Sequence, residues 1–337
     1  MYFKLKSYIK QSLYGKPIIW PFLEMLQGFK YALNYHYYYG LLKGKKGFSV
    51  REVNLEFASQ CNLRCQFCSL DHLKPKTLIT PEILEKFLKG FVTDKRYRKI
   101  KRINLYNGGE TLLHPKRLEL LTIIKKYKDI AKQNRYKFPE IHLLTNGMLL
   151  REKLAEEIIK IDAVDLLGVS FDGGNPEAFE DMRTNAKWPI FYANIKAFDK
   201  IRKQYNSKVK MSAISCIPAD KPRTTKWMHP EFKEIYELLD WYELRRLHNW
   251  AGNIEEIKIP IKKHKIGCTL LMEQMVLLPN GDVTICCNDL NSEAVIGNIT
   301  TTDFIDIYNC ETRMKYLYLH LKGRKNEIDF CKGCETF

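Results

Sequence analysis

Three cysteines stand close together in residues 61–68, which read CNLRCQFC. Thiolates are ligands for zinc and for iron–sulfur clusters. A structural metal site is normally closed by four protein ligands, whereas a catalytic centre keeps one coordination position open. Cys61, Cys65 and Cys68 can therefore ligate three irons of a cubane and leave the fourth iron open. The alternatives are a zinc site completed by a distant ligand and three unrelated thiols.

A second set of cysteines lies near the carboxyl end of the sequence, with 17, 44 and 2 residues between successive members. The set consists of Cys268, Cys286, Cys331 and Cys334. Four thiolates form a closed shell for either a cubane or tetrahedral zinc, so the spacing alone leaves both metals open. We interpret Cys216, Cys287 and Cys310 as buried or incidental thiols, because free cysteine is among the most buried residue types.

The elements that must position these residues follow from an alternation of short β-branched runs with helix-like stretches between residues 53 and 250. The predicted strands are VNLEFA (53–58), KRINLY (101–106), EIHLLT (140–145), VDLLGVS (164–170), KVKMSAIS (208–215) and ELRRLH (243–248). Such alternation indicates parallel βα units. A complete eight-unit barrel usually needs about 250 residues, so we expect an α/β fold with an open, partial (β/α)6 barrel of the TIM type. The first cysteine set directly follows the first strand, at the edge where active sites collect.

Composition divides the chain into three regions. Residues 1–50 form a basic aromatic extension with eight Lys and one Glu, and residues 51–255 form the barrel. Residues 256–337 form a small α+β domain. Within it, MVLLPNGDVTICC (275–287) has Asn280-Gly281 between two β-rich arms, which predicts a hairpin.

The first fourteen residues carry apolar side chains at near-helical spacing with lysines between them. The apolar positions are Tyr2, Phe3, Leu5, Ile9 and Leu13. Such a helix can either pack its apolar face against the barrel or lie on an anionic membrane surface. We expect packing, with weak peripheral membrane contact as the alternative.

Charge and cysteine content limit the class of protein. The net charge is +16, from 55 Lys and Arg against 39 Asp and Glu, which attracts anions in general. No arginine stripe or RNA-binding signature accompanies the charge, so we expect no specific nucleic-acid binding. Ten cysteines in 337 residues are too few for a disulfide scaffold, and neither a signal-peptide pattern nor a membrane-spanning apolar run is visible. We expect a cytoplasmic protein.

The CxxxCxxC pattern, with Phe67 before the last cysteine, resembles the signature of radical S-adenosylmethionine (SAM) enzymes. Further motifs of that family occur in the same order and placement. Asn107-Gly108-Gly109-Glu110 follows the second strand, Thr145-Asn146-Gly147 follows the third, Val169-Ser170-Phe171-Asp172-Gly173 closes the fourth, and Arg183 lies in the next helix. The resemblance covers most of the chain from about residue 53. One departure is Thr111, where the family usually has proline.

The resemblance implies that Cys61, Cys65 and Cys68 hold a catalytic 4Fe-4S cluster whose open iron binds SAM. Reductive cleavage of SAM then gives a 5′-deoxyadenosyl radical. The implied cofactor-binding residues are Phe67, Gly108, Gly109, Glu110, Asn146, Ser170, Asp172 and Arg183. The glycines allow close approach of backbone, and Glu110 accepts hydrogen bonds from the ammonium group of SAM.

The remaining cofactor residues have simpler alternatives. Ser170 and Asp172 match ribose-lining positions, and the Arg183 fork suits the SAM carboxylate. Arg183 could instead form a surface salt bridge, and Glu110 could be an ordinary surface carboxylate. Asn146 either contacts the cofactor or caps a turn.

The pattern Cys268-x12-Gly281-x4-Cys286 followed by CxxC resembles the auxiliary-cluster domain called SPASM, in its shorter one-cluster form, twitch. It implies one auxiliary 4Fe-4S cluster on Cys268, Cys286, Cys331 and Cys334. Structural zinc is the alternative.

From this resemblance we expect a radical SAM oxidoreductase that abstracts hydrogen from a small polar, sugar- or cyclitol-like substrate for net oxidation. The alternatives are a maturase of a ribosomally made peptide or protein and, in another class, a zinc-dependent nucleic-acid-binding protein. We expect a one-electron donor such as flavodoxin or ferredoxin. Asp289 is a candidate proton acceptor, and His248, Asn249 and Trp250 either face substrate or pack.

Overall fold

The computed structural model describes residues 50–247, 249–254 and 268–334, together with separate positions between 19 and 37. The predicted helix in residues 1–14 and the side chain of His248 lie outside the described residues.

Six parallel strands form the body of the main sheet. They are β1 (Glu52–Leu55), β3 (Arg102–Leu105), β4 (Glu140–Thr145), β5 (Leu166–Ser170), β7 (Lys210–Cys216) and β8 (Trp241–Arg245). They lie side by side in that order. Within the described residues β8 pairs only with β7, so the sheet does not close. The expectation of an open α/β barrel is confirmed.

A separate ladder of two short strands holds the cysteine loop. Its strands are β2 (Arg64–Cys65) and β6 (Arg183–Thr184), which pair antiparallel.

Helices connect the parallel strands and cover one face of the sheet. They are α1 (Pro81–Thr93), α2 (Arg117–Gln133), α3 (Glu152–Ile161), α4 (Pro176–Met182), α5 (Trp188–Gln204) and α6 (Pro230–Leu238). Local sequence sets their starts: Thr80 Oγ1 accepts a hydrogen bond from Ile83 N at 3.3 Å, and Asn175 Oδ1 accepts one from Ala178 N at 2.8 Å. Such caps satisfy backbone donors that have no partner inside the helix.

The two faces of the sheet differ in character because successive side chains of a strand point to opposite sides. Val53, Ile103, Ile141 and Leu167 belong to the apolar core. The alternate positions form the inner face of the barrel and are largely polar. In the middle of this face Asn54 Oδ1 accepts hydrogen bonds from Asn104 Nδ2 at 2.9 Å and from Gln274 Nε2 at 3.0 Å.

The C-terminal region continues the same sheet. Its elements are α7 (Thr269–Glu273), β9 (Gln274–Leu277), β10 (Asp282–Thr284), β11 (Val295–Asn298), α8 (Phe304–Tyr308) and α9 (Glu311–Leu321). The predicted hairpin is present, since β9 and β10 pair antiparallel and Gly281 adopts a φ of 89° in the turn. In addition β9 pairs parallel with β1, which extends the sheet to nine strands.

The sixth strand differs from its predicted position. ELRRLH was predicted at 243–248, but β8 begins at Trp241, which pairs with Ser212, and ends at Arg245. The chain leaves the sheet at Arg246, whose Nη2 donates to the carbonyl oxygen of Lys221 at 2.7 Å. The predicted strand at 53–58 is likewise shorter and ends at Leu55.

The described positions between 19 and 37 are helical, and several carry large exposed apolar side chains. No helix in the described part of the chain is long and apolar enough to cross a bilayer.

Candidate active site

The first cysteine set lies on the loop after β1, at the carboxyl edge of the sheet. The β2–β6 ladder places Cys65 opposite Arg183, and Cys68 N donates to the carbonyl oxygen of Cys65 at 3.1 Å. Cys61, Cys65 and Cys68 are all partly buried. Burial raises the pKa of the Cys61 and Cys65 thiols to about 11, so these thiols become ligands by losing a proton when metal binds.

The Gly-Gly-Glu loop packs directly on the cysteine loop. A Cβ on Gly109 would lie 1.7 Å from the carbonyl oxygen of Ala58, so no other residue fits at this position. The amide of Gly108 donates to Glu56 Oε2 at 2.8 Å. Glycine is therefore required at position 109 because the Gly-Gly-Glu loop packs against the cysteine loop. The predicted close approach to a cofactor would be a second reason.

Glu110 is buried, which makes the alternative of a surface carboxylate wrong. Its carboxylate accepts hydrogen bonds from Thr145 Oγ1 at 2.8 Å, from Asn146 N at 2.8 Å and from Leu112 N at 3.1 Å. Burial raises the pKa of this carboxyl. Glu110 thus ties the turn after β4 to the Gly-Gly-Glu loop.

Asn146 caps the turn after β4, as one of its two predicted roles required, and its side chain also contacts the cysteine loop. Its Oδ1 accepts from Met148 N at 3.0 Å, which caps the turn. Its Nδ2 donates to Asn62 Oδ1 at 2.9 Å and lies 3.8 Å from Cys61 Sγ. The side chain therefore reaches the cysteine loop, where a cofactor would lie.

Asp172 and Arg183 form a buried ion pair beside the cysteines. Arg183 Nε donates to Asp172 Oδ2 at 2.6 Å, and Asp172 Oδ1 accepts from Cys216 N. The guanidinium lies 5.7 Å from the centre of the Phe67 ring. Arg183 was predicted inside a helix, but α4 ends at Met182 because Arg183 enters the ladder with Cys65. Ser170 ends β5 at the same edge of the sheet.

The second cysteine set surrounds one cavity. Cys268, Cys286, Cys331 and Cys334 all line it, together with Ala251, Leu271, Ile285, Asn288, His320 and Phe330. Burial raises the pKa of the Cys268 and Cys331 thiols to about 12. Four thiols on an otherwise mostly apolar wall suit a cysteine-ligated metal centre.

Cys287 and Cys310 do not line this cavity. Among the described residues no three His, Cys, Asp or Glu side chains are spaced to hold a single metal ion.

One loop touches both cysteine sets. Trp250 Nε1 donates to the carbonyl oxygen of Phe67 at 2.6 Å, and Ala251 lines the cavity of the second set. Asn249 Nδ2 donates to the carbonyl oxygen of Gly333, between Cys331 and Cys334, at 3.4 Å. Asn249 and Trp250 were predicted either to face substrate or to pack, and these contacts are packing contacts. They connect the two candidate centres.

The sequence analysis did not identify Glu56, and it named Asp289 as a candidate proton acceptor. Glu56 follows β1, is buried, and its Oε1 has no hydrogen-bond partner among the described residues. Burial raises its pKa to about 7. Asp289 is also buried, but its oxygens accept from Thr284 Oγ1, Glu293 N and Ala294 N, so it closes the loop after β10. No motif marks Glu56; only its alternation with Glu52 and Asn54 along the strand could have indicated it.

Comparison with known families identifies the two parts of the site. Residues 55–218 match the family model of the radical SAM superfamily, and residues 268–335 match that of an iron–sulfur cluster-binding domain, SPASM. Curated relatives include a GTP 3',8-cyclase of Aquifex aeolicus, 27% identical over 52% of this chain and 50% of that protein. The corresponding protein of Brucella ovis is 26% identical over 56% and 52%. The chain thus spans about half the length of these relatives.

Solved structures share the fold. BtrN in complex with AdoMet and 2-DOIA has a TM-score of 0.57 at 18% identity, over 86% of this chain and 93% of that chain. Streptococcus suis SuiB bound to precursor peptide SuiA has a TM-score of 0.53 at 14% identity, over 80% and 66%. An anSMEcpe structure with bound AdoMet has a TM-score of 0.52 at 16% identity, over 80% and 81%.

The open barrel with cysteines at its carboxyl edge, followed by a four-cysteine domain, defines an iron–sulfur enzyme with two metal centres. The chain belongs to the radical SAM superfamily and carries a C-terminal SPASM domain. Its cofactors are accordingly a radical SAM 4Fe-4S cluster, SAM and an auxiliary cluster.

Proposed function

We propose that Cys61, Cys65 and Cys68 ligate the radical SAM cluster and that Cys268, Cys286, Cys331 and Cys334 ligate one auxiliary 4Fe-4S cluster. The donor sets support this, because three thiols share one loop and four line one cavity. Residues 51–255 and 256–337 then act as the catalytic barrel and the auxiliary domain, with residues 1–50 as an extension.

The cofactor site of this proposal lies beside the first cysteine set. The residues of this site would hold the cluster and SAM, which when bound would supply a 5′-deoxyadenosyl radical for hydrogen abstraction. Around them the chain contributes Phe67, Gly108, Gly109, Glu110, Asn146, Ser170, Asp172 and Arg183. The buried Asp172–Arg183 pair keeps a positive group close to Cys65, where it can attract a carboxylate.

The substrate in our proposal is small and polar, such as a sugar or cyclitol, and it undergoes net oxidation. The polar inner face of the barrel is the observation that carries this. Asn54, Asn104 and His142 are aligned across β1, β3 and β4, and Ser212 on β7 lies on the same face. Polar side chains that line a binding site favour substrates that can form hydrogen bonds with them through hydroxyl or amino groups.

Arg245 is the side chain best placed to contact such a substrate. It ends β8, pairs in register with Cys216, and its side chain is 46% exposed. Glu243 Oε2 accepts from Arg245 Nη2 at 3.1 Å, and Tyr106 lies within electrostatic range of the guanidinium. Arg245, Glu243 and Tyr106 thus place a cation, a carboxylate and a phenol near one another at the carboxyl edge of the sheet.

Net oxidation of an alcohol carbon to a carbonyl removes one hydrogen atom, one proton and one electron from the substrate. The radical derived from SAM would take the hydrogen atom, and the auxiliary cluster would accept the electron. Glu56 is suited to take the proton, because one of its oxygens has no hydrogen-bond partner among the described residues and its pKa is about 7. Its alternation with Glu52 and Asn54 puts it on the inner face.

The comparison structures give this substrate class some support. The chain covers 93% of the BtrN chain that was solved with 2-DOIA, and 66% of the SuiB chain that was solved with a peptide. A peptide or protein substrate is the alternative outcome of the test.

Two further partners belong to the proposal. An external one-electron donor such as flavodoxin or ferredoxin is needed to reduce the cluster, and the net charge of +16 favours an acidic donor. Because Phe22, Phe29 and Leu33 of the basic N-terminal extension are exposed, the proposal includes weak contact with an anionic membrane surface, in place of the packing against the barrel that we expected from the sequence.

The test is isotope transfer. Protein reconstituted without oxygen is incubated with SAM, dithionite and fractions of host extract from cells grown in deuterium. We expect deuterium in 5′-deoxyadenosine only with fractions that pass a small-pore filter and resist protease. Deuterium transfer that occurs only with a protease-sensitive fraction would show that the substrate is a peptide or protein, as in the alternative of a maturase.

The matched controls are two cysteine variants. Cys65→Ala should abolish SAM cleavage, because a cluster lacking one of three ligands cannot present its open iron. Cys310→Ala, which changes a cysteine outside both sets, should retain cleavage. Cleavage retained by Cys65→Ala would overturn the assignment of the radical cluster.

A further inference from the structure

His320 is a buried histidine in the wall of the auxiliary cavity. It lies near the end of α9, is only 6% exposed, and lines the cavity together with Cys268, Cys286, Cys331 and Cys334. No motif of the chain includes it.

Its Nε2 atom is buried and has no hydrogen-bond partner among the described residues. A buried polar atom without a partner costs free energy, so buried imidazole nitrogens are normally hydrogen-bonded. The neighbouring wall offers few acceptors, because Ala251, Leu271, Ile285 and Phe330 are apolar. Asn288 is the other polar side chain of the wall apart from the four cysteines.

Apart from Asn288, the side-chain acceptors that the cavity lining offers are the sulfurs of the four cysteines. An imidazole carries a proton on one ring nitrogen when neutral, and the Nε2 tautomer can donate. Hydrogen bonds to cluster sulfurs stabilise the reduced, more negative state, so they raise the reduction potential.

We propose that His320 donates a hydrogen bond from Nε2 to a sulfur of the auxiliary centre, either a cluster sulfide or a cysteine thiolate, and thereby raises its reduction potential. The proposal rests on the assignment of the auxiliary cluster to these four cysteines. His320 is then a positioning residue that makes the cluster a better electron acceptor, without touching substrate.

The experiment uses the full chain with both clusters reconstituted and measures their reduction potentials by spectroscopic titration. We expect His320→Leu to lower the potential of the auxiliary cluster while the iron content and the potential of the radical cluster stay unchanged. His320→Gln, which keeps an N–H donor, should restore part of the difference. His229→Leu, a change at an exposed histidine just before α6 and outside the cavity, should leave both potentials unchanged.

A second measurement does not depend on any variant. Hyperfine spectroscopy of the reduced auxiliary cluster in wild-type protein should detect an exchangeable proton that disappears in deuterium oxide, and a nitrogen coupling when histidine is labelled with nitrogen-15. An unchanged potential in His320→Leu with full iron, or a wild-type spectrum without these couplings, would overturn the proposal. Wild-type protein with one cubane and a bound zinc would instead overturn the assignment of the auxiliary cluster.

Discussion

Glu56 combines burial with a raised pKa of about 7, against an ordinary value of 4.5. Burial is the main cause, because it penalises the charged form. A carboxyl whose folded-state pKa is raised contributes stability that is complete below pH 4.5 and is lost as the pH rises through about 7.

Glu56→Gln should remove this decrease in stability at high pH, because the glutamine side chain stays neutral. Its oxygen can still accept the hydrogen bond from Gly108 N. Relative to wild type, the free energy of unfolding should rise by up to about 3 kcal/mol at pH 8 and change little at pH 4.5. Urea unfolding of cluster-free protein at the two pH values measures this. Glu177→Gln, at an exposed position of α4, is the control. Equal effects of Glu56→Gln at both pH values would contradict the predicted linkage.

Glu110→Gln should weaken SAM binding without removing iron. The glutamine side chain lacks the charge that would attract the SAM ammonium. Its NH2 group would also face Asn146 N, Leu112 N or Thr145 Oγ1, which now donate hydrogen bonds to the carboxylate. We expect about a tenfold loss of affinity, which corresponds to about 1.4 kcal/mol.

Calorimetry on reconstituted protein measures the affinity, and Glu119→Gln, on the outside of α2, serves as control. An unchanged dissociation constant would limit Glu110 to its structural contacts.

Some residues of the site could be found from the sequence and others could not, for a physical reason. Cys61, Cys65 and Glu110 could be placed at the carboxyl edge of the sheet because each belongs to a short motif that follows a predicted strand. The pairing of Asp172 with Arg183 was not predicted, because it depends on how the chain turns between β5 and β6. His320 was missed because its neighbours in the cavity come from distant parts of the chain.

At the level of elements, alternation of strands and helices predicted the six parallel strands but not which element would cover the edge of β1. The hydrophobic periodicity of a strand shows which of its residues are buried, but it does not show which strand pairs with it in the sheet. The pairing of β9 with β1 therefore appears only in the structure. It makes the auxiliary domain an extension of the barrel sheet, so the two centres are held by one sheet and by the 249–252 loop.

Gly252 packs closely against Gly333, which lies between Cys331 and Cys334 of the second cysteine set. Its φ is 101°, and a Cβ would lie 2.8 Å from the carbonyl oxygen of Gly333. Gly252→Ala should therefore displace Gly333 together with the neighbouring Cys331 and Cys334, and lower iron by about one cubane. Iron analysis and thermal unfolding check this.

Gly323→Ala is the matched control, because Gly323 also has a positive φ, 68°, but has no atom within 4 Å of the added Cβ. This control should cost about 1 kcal/mol and keep its iron. Equal iron in the two variants would show that the contact between Gly252 and Gly333 does not hold the auxiliary site.

At the scale of the whole molecule, the N-terminal extension is the part that the enzyme fold does not explain. Residues 1–50 contain eight Lys and one Glu. Among the described helical positions, Phe22 is 55%, Met25 61%, Phe29 65% and Leu33 54% exposed. Their spacing of three or four residues places them along one side of a helix. An apolar stripe in a basic segment suits the surface of an anionic bilayer.

We therefore expect the protein to float with vesicles that contain phosphatidylglycerol, and to float less with neutral vesicles or at high salt, because salt screens the attraction between lysines and lipid. The double change Phe29→Glu and Leu33→Glu should abolish flotation without changing SAM cleavage. Ile190→Glu alters an apolar side chain of α5 that is 45% exposed and lies outside the stripe, so it should leave flotation intact. If the double variant floats like wild type, or if the stripe holds two copies together in light scattering, the membrane contact is wrong.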